Sequence, residues 1–159
     1  MRFLNNNEMG LAIGQTLLDK NMTMATAESC TGGTIASMVT AVAGSSTYFK
    51  GGVVSYAVSV KEQVLGVQLR EGIVSEDTAR QMAEGAARVC GADCGVATTG
   101  VAGPGSSDGQ PQGTVCIAAV VKGCFKSATF HFEGDREAVI LQAADAALRL
   151  LNQLIAEAE

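Results

Sequence analysis

The sequence predicts a three-layer α/β/α sandwich with a mixed central sheet of about five strands. Helical and strand-like apolar patterns alternate along the chain, which is typical of a sheet flanked by crossover helices. Two strand-like runs, 114–121 and 126–132, then follow each other directly around residues 122–125. Such a hairpin adds antiparallel strands, so the sheet is expected to be mixed.

The first half of the chain predicts two helix–strand pairs. Apolar residues at helical spacing predict a helix over 7–20, and the segment 22–27 predicts a short strand. A second apolar helical face runs from Gly33 to Gly44, a typical stop signal, before a strand over 51–57. The stretch 27–34, AESCTGGT, is therefore predicted to turn from a strand into a helix.

The second half begins with two more helices and a strand. Ser59 is a candidate cap for a short helix that includes Lys61, and Ser75 is a candidate cap for a helix that runs to about Cys90. A strand is predicted over 94–100.

A polar loop and a long helix complete the predicted fold. The loop, 101–113, is rich in Gly, Ser, Pro and Asp, and connections of this length are usually functional. The final helix starts at about Asp135, and its predicted buried side consists of Ala144, Ala147, Leu148, Leu151 and Leu154.

Composition excludes several classes of function. We expect residues 1–159 to form one domain, because 159 residues with 47% hydrophobic content suit a single core. The net charge is −5 and no basic stripe is present, which argues against nucleic acid as a partner. Apolar runs are strand-sized and the first residues lack a signal-peptide core, so we expect no membrane partner and a cytoplasmic location.

The cysteines do not predict a metal site or disulfides. The chain has five cysteines without CxxC spacing and a single histidine. We expect the cysteines to be small core residues and the protein to use no metal or other cofactor. Cys30 is a separate case because it lies in the predicted strand-to-helix turn.

Three predicted strand ends carry polar residues, at 28–33, 55–61 and 99–113. In open α/β sheets, ligands bind where strands turn into helices. If the fold brings the three ends together, they form one pocket that contains Ser29, Cys30, Thr31, Tyr56, Lys61 and Thr99.

Ser29 is a candidate nucleophile because glycines and a helix N-terminus follow it, which suits an oxyanion site. Its base is not expected to be His131, which alternates with phenylalanines in a strand and is predicted to face outward. Lys61 is the candidate base by position. Lowering a lysine pKa from about 10.4 to about 7 requires a differential cost near 5 kcal/mol, which burial can supply.

Each of these assignments has a simpler alternative. Lys61 also fits a solvated surface position, and Tyr56 fits a packed aromatic as well as a proton relay. Cys30 is a rival nucleophile, because a helix N-terminus lowers a thiol pKa. Glu28 either orients Lys61 or a substrate ammonium, or is solvated.

Five segments, taken in order, resemble one known family. TAESCTGG, GSSTYFKGGVVSY, GIVSEDTARQMAEGA, TTGVAGPG and GDRE are similar to the motifs of the CinA C-terminal domain family, and the likeness covers nearly the whole chain. That family includes nicotinamide mononucleotide (NMN) deamidases. The resemblance implies a three-layer α/β/α fold, a stand-alone form and hydrolysis of NMN to nicotinic acid mononucleotide and ammonia without a metal.

The resemblance also implies roles for individual residues. Ser29 is the implied nucleophile and Lys61 its base, while Tyr56, Thr31 and Thr99 assist proton transfer or substrate placement. Backbone amides at 30–33 and 100–103 would hold the oxyanion or the 5′-phosphate; they include those of Gly32, Gly33, Gly100 and Gly103. Arg136 is a further implied phosphate contact, and we expect a homo-oligomer, with a dimer as the simplest form.

Two segments depart from the family pattern. Gln110-Pro111-Gln112-Gly113 stands where Lys-Pro-Val-Gly is common, and Ile140 stands where an arginine is usual. Gln110 and Ile140 each remove a positive charge that would favour a phosphate. Two alternatives therefore stay open: a non-catalytic nucleotide-binding module, and a hydrolase of another small amide.

Overall fold

The computed structural model describes residues 7–158, which form five helices of at least six residues and five strands. The helices are α1 (Glu8–Lys20), α2 (Thr34–Thr40), α3 (Val58–Gln63), α4 (Glu76–Cys90) and α5 (Arg136–Glu157). The strands are β1 (Met24–Glu28), β2 (Phe49–Val54), β3 (Cys94–Gly100), β4 (Thr114–Val121) and β5 (Cys124–His131). A short 3-10 turn at Ser45–Thr47 precedes β2.

The strands form one mixed sheet in the order β2-β1-β3-β4-β5. β1 pairs in parallel with both β2 and β3, and β4 is antiparallel to its neighbours β3 and β5. The carboxyl ends of β1, β2 and β3 therefore lie at one edge of the sheet, where β4 begins. This topology confirms the predicted five-stranded mixed sheet.

Helices cover both faces of the sheet, as predicted. On one face α1, α2 and α5 pack together over a core that includes Ile13, Leu17, Ile117 and Leu148. On the other face lies α4, whose Ala83 packs against small strand residues. Gly95 of β3 makes this close approach possible, because a Cβ there would collide with the carbonyl oxygen of Ala83.

The chain leaves the sheet earlier after β2 than the sequence predicts. The strand expected over 51–57 ends at Val54, and the amide of Ser55 donates to the carbonyl of Glu28. The helix expected from Gly33 to Gly44 ends at Thr40. As a result Ser55 and Tyr56 belong to a connection at the edge of the sheet rather than to a strand.

The final helix differs from one sequence expectation. By length and composition alone, α5 is long and apolar enough to cross a membrane, although the apolar runs were expected to be only strand-sized. Its charged residues are Arg136, Glu137, Asp145, Arg149 and Glu157. The predicted buried side is confirmed, since Ala144, Ala147, Leu148, Leu151 and Leu154 are all buried in the core.

Candidate functional site

A cleft of about 310 Å³ opens at the edge of the sheet where the three parallel strands end. One wall carries Ser29 and Lys61, and the polar loop after β3 forms much of the rest. The loop residues that line it are Gly100, Val101, Ala102, Gly103, Pro104, Gly105, Ser106, Ser107 and Asp108. The predicted convergence of the strand ends is therefore observed in the structure.

Lys61 lies on α3 with its amine directed at Ser29. The Nζ atom donates to the Ser29 hydroxyl at 3.1 Å and to the Ser55 carbonyl at 2.7 Å. Only 1% of the Lys61 surface is exposed, and this burial lowers the pKa of the amine. The alternative of a solvated surface lysine is thus wrong.

The path of the chain after β2 explains this burial. Because the strand ends at Val54, the short helix α3 starts close to the sheet edge. The amide of Lys61 donates to the carbonyl of Ala57, and the carbonyl of Lys61 accepts from the amide of Val67. Backbone bonds on both sides therefore hold Lys61 against the end of β1.

A tight turn presents Ser29 to the cleft. The amide of Gly32 donates to the carbonyl of Ser29 at 3.0 Å. Gly32 and Gly33 have φ values of 56° and 106°. Glycine suits such left-handed backbone. Within residues 7–158 the amides of Cys30, Thr31 and Gly33 donate to no backbone carbonyl, so this turn holds donors that can face a ligand.

Glu28 caps α2, and neither expected alternative for it holds. Its carboxylate accepts from the amides of Ile35 at 2.8 Å and Ala36 at 3.0 Å, and the residue is 1% exposed. The Thr31 hydroxyl donates to the same carboxylate at 2.6 Å and lies 2.8 Å from that of Thr98. Thr31 is therefore buried in a network behind the cleft instead of lining it.

Cys30 lines the cleft but belongs to the hydrophobic core. Burial raises the pKa of its thiol to about 11, against a smaller lowering by a hydrogen bond from Thr98. The expectation that the helix N-terminus lowers this pKa is wrong. The main physical reason is burial, which removes the thiolate from water, and the charge of Glu28 adds a smaller effect in the same direction. The amides of Ile35 and Ala36 at that helix terminus bind Glu28 instead of the thiol.

Thr99 does not line the cleft either. It is fully buried, and its hydroxyl donates to the carbonyl of Ile73 at 2.8 Å. Ile73 itself lines the cleft, so Thr99 supports the wall from behind. Gly32 and Gly33 are also outside the lining, whereas Gly100 and Gly103 are part of it.

Tyr56 and Arg136 lie at the mouth of the cleft. Tyr56 is 61% exposed, and its hydroxyl accepts from Arg136 at 2.8 Å. The other terminal nitrogen of Arg136 donates to the carbonyl of Gly103. Arg136 forms no salt bridge within residues 7–158, so its charge is available to a ligand.

His131 is exposed on β5, as predicted, and its Nδ1 lies 3.3 Å from the Thr114 hydroxyl.

Sequence reasoning missed Asp108, which lines the cleft and whose carboxylate accepts from the amide of Val74 at 2.9 Å. The Asp108-Gly109 pair is a strong turn signal, and both residues have positive φ. The role of the Ser55 carbonyl was also missed, because a backbone acceptor leaves no signal in the sequence.

The fold and the cleft define a class: an α/β protein in which a buried lysine contacts a serine at the carboxyl end of a parallel strand. The family model for the CinA C-terminal domain matches residues 6–155. The chain belongs to the CinA C-terminal domain family.

Relatives and solved structures agree with this assignment. CinA-like proteins of Geobacter sulfurreducens and Chlorobium limicola are 43% and 42% identical over 93% and 86% of this chain. The matched regions are 37% and 34% of those proteins, so the chain spans little more than a third of their length.

A crystal structure of a CinA superfamily protein from Klebsiella pneumoniae has a TM-score of 0.91 and 34% identity, covering 96% of this chain and 98% of that one. Another from Escherichia coli has a TM-score of 0.87 and 36% identity, covering 94% and 91%.

Proposed function

We propose that this protein is an amidohydrolase that deamidates NMN to nicotinic acid mononucleotide and ammonia. One observation carries the proposal: the buried Lys61 amine lies 3.1 Å from the Ser29 hydroxyl. Burial lowers the pKa of this lysine, which favours the neutral amine that a general base requires. A serine with a neutral amine at hydrogen-bond distance is the arrangement expected of an activated nucleophile.

The first half of the proposed reaction forms an acyl-enzyme. Neutral Lys61 takes the Ser29 proton while the serine oxygen bonds to the carboxamide carbon, and the carbonyl oxygen becomes an oxyanion. The amide of Cys30 is the expected oxyanion donor, because it follows the nucleophile and donates to no backbone carbonyl in residues 7–158. The C–N bond then breaks, and Lys61 returns the proton to the leaving nitrogen to give ammonia.

The second half removes the acyl group. Lys61 takes a proton from water, whose oxygen attacks the ester carbon, and Ser29 regains a proton as the C–O bond breaks. General-base catalysis contributes about 10²- to 10⁴-fold, and one oxyanion donor about 3 to 4 kcal/mol. The Ser55 carbonyl, which accepts one N–H of Lys61 at 2.7 Å, directs the lone pair of the amine towards Ser29.

The residues at the mouth of the cleft favour a substrate that carries an anionic group. Arg136 lines it and has no carboxylate partner within residues 7–158, which suits a 5′-phosphate. Neither Gln110 nor Ile140 contributes to the wall of the cleft. The two departures from the family pattern therefore leave its lining intact, which favours NMN over a small neutral amide.

The experiment is release of ammonia from NMN by the purified protein and by Ser29→Ala. We expect the variant to lose at least about 10³-fold in rate, because the nucleophile is removed. Ser106→Ala is the matched control, since Ser106 lines the same cleft but makes no hydrogen bond to Lys61.

Full activity of Ser29→Ala would show that Ser29 is not the nucleophile. NMN binding in a calorimeter without ammonia release would instead identify a nucleotide-binding module, and release from other amides but not from NMN would change the substrate.

A further inference from the structure

The side chain of Gln112 joins two segments that border the cleft. Its amide oxygen accepts from the backbone amide of Gly105 at 2.9 Å, and its amide nitrogen donates to the carbonyl of Gly134 at 3.1 Å. Gly105 belongs to the loop that lines the cleft, and Gly134 lies two residues before Arg136. One planar amide thus connects the cleft loop to the start of α5.

Gly103 packs directly on this amide. A Cβ at Gly103 would collide with the Gln112 side chain, and Gly103 has a φ of 95°. The carbonyl of Gly103 in turn accepts from Arg136. Gly103, Gly105, Gln112 and Arg136 therefore form a connected set of contacts at the mouth of the cleft.

We propose that Gln112 is a positioning residue that fixes the mouth of the cleft, and thereby the affinity for the anionic end of the substrate. The proposal rests on the proposed function. Gln112 does not line the cleft, so its effect passes through Gly103, Gly105 and Arg136. Valine, the residue that the family pattern places at this position, has no atom able to make either bond.

The same geometry separates binding from chemistry. Ser29 and Lys61 are held by hydrogen bonds to each other and to residues other than Gln112, namely Gly32, Ser55, Ala57, Val67 and Thr98. Loss of the Gln112 bonds is therefore expected to loosen the mouth while the serine–lysine pair keeps its geometry. Weaker substrate binding with unchanged chemistry appears as a higher KM at constant kcat.

The test is steady-state deamidation of NMN by Gln112→Met, which keeps the length of the side chain and removes both bonds. We expect KM to rise about three- to tenfold and kcat to stay within about twofold, because the two bonds are solvent-exposed and each contributes modestly. Gln142→Met is the matched control: Gln142 bonds to the carbonyl of Glu133, next to Gly134, but not to the cleft loop. Its KM should not change.

A second measurement reports on the cleft loop directly and does not require substrate turnover. Hydrogen exchange of the Gly105 amide, measured by NMR, should be faster in Gln112→Met than in the wild type and in Gln142→Met. An unchanged KM, or a fall in kcat at constant KM, would overturn the proposal, as would unchanged exchange at Gly105.

Failure of the proposed function gives a different result. If the wild type binds NMN without releasing ammonia, deamidation is refuted, and a three- to tenfold weaker Kd of Gln112→Met, measured by calorimetry, still supports the positioning role. An equal Kd overturns that role. A wild type that neither binds nor hydrolyses NMN overturns both proposals.

Discussion

The carboxylate of Glu28 accepts a hydrogen bond from the amide of Ile35 at 2.8 Å, so the last residue of β1 caps the helix that follows. Its second oxygen accepts from Ala36, and the Thr31 hydroxyl donates to the first. The chain between these contacts is the turn that presents Ser29. A buried negative charge, balanced by a helix N-terminus, thus fixes the backbone of the candidate nucleophile.

Replacing Glu28 with glutamine tests this cap. The amide nitrogen of glutamine cannot accept from a backbone N–H, so one buried donor loses its partner at a cost of about 1–3 kcal/mol. We expect Glu28→Gln to lower the free energy of unfolding by that amount in urea denaturation at pH 7, and to slow ammonia release. Glu62→Gln, at an exposed position on α3, is the control, and equal stability of the two variants would contradict the capping role.

The strand-to-helix turn at 27–34 could be predicted from the sequence, but the partner of Glu28 could not. The prediction depended on a change from strand-like to helical spacing and on Gly32-Gly33, which are local signals. The bond from Glu28 to Ile35 spans seven residues, and it forms only because two left-handed glycines fold the chain back on itself. Such a contact depends on torsion angles that residue types do not specify.

The stability of the protein should depend on pH through Lys61. Burial lowers the pKa of Lys61 in the folded state, so between that pKa and the unfolded value near 10.4 the unfolded chain binds more protons. The free energy of unfolding therefore rises with pH across this interval, by up to about 1.4 kcal/mol per pH unit, and its dependence on the Lys61 proton ends below the folded pKa, where both states are protonated.

Lys61→Met provides the comparison for this linkage, because methionine fills a similar volume without a titrating group. We expect the difference in unfolding free energy, wild type minus variant, to increase between pH 7 and pH 10 in chemical denaturation. A constant difference would mean that Lys61 has the same pKa in both states.

Catalysis should follow the same titration. Only the neutral amine accepts the Ser29 proton, so kcat for NMN is expected to rise with pH to a plateau, with its midpoint below the usual lysine value of about 10.4. Lys61→Arg should be inactive throughout pH 6–10, because a guanidinium stays charged. Ammonia release at saturating NMN measures the rate of the wild type and of Lys61→Arg at each pH. A pH-independent wild-type rate would argue against Lys61 as the base.

The candidate site was predictable where chain position decides it and unpredictable where side-chain direction decides it. Ser29 and Lys61 follow strands whose carboxyl ends share an edge, so the topology alone brings them together. Thr31 and Thr99 follow the same logic by position, but their hydroxyls turn to Glu28 and Ile73 behind the cleft. Within a turn and at a strand end, neighbouring residues point in opposite directions, and sequence spacing does not show which one faces the ligand.

Cys30 offers a direct test of which neighbouring side chain reacts. With a thiol pKa of about 11, roughly one molecule in ten thousand carries the reactive thiolate at pH 7, so Cys30→Ala should retain kcat within about threefold. The variant should lose about 1–2 kcal/mol of stability, because it leaves a small cavity in the core, and urea denaturation separates that effect from kinetics. If Cys30→Ala instead lost as much activity as Ser29→Ala while remaining folded, the thiol would be required, and the Ser29–Lys61 contact would have to serve another step.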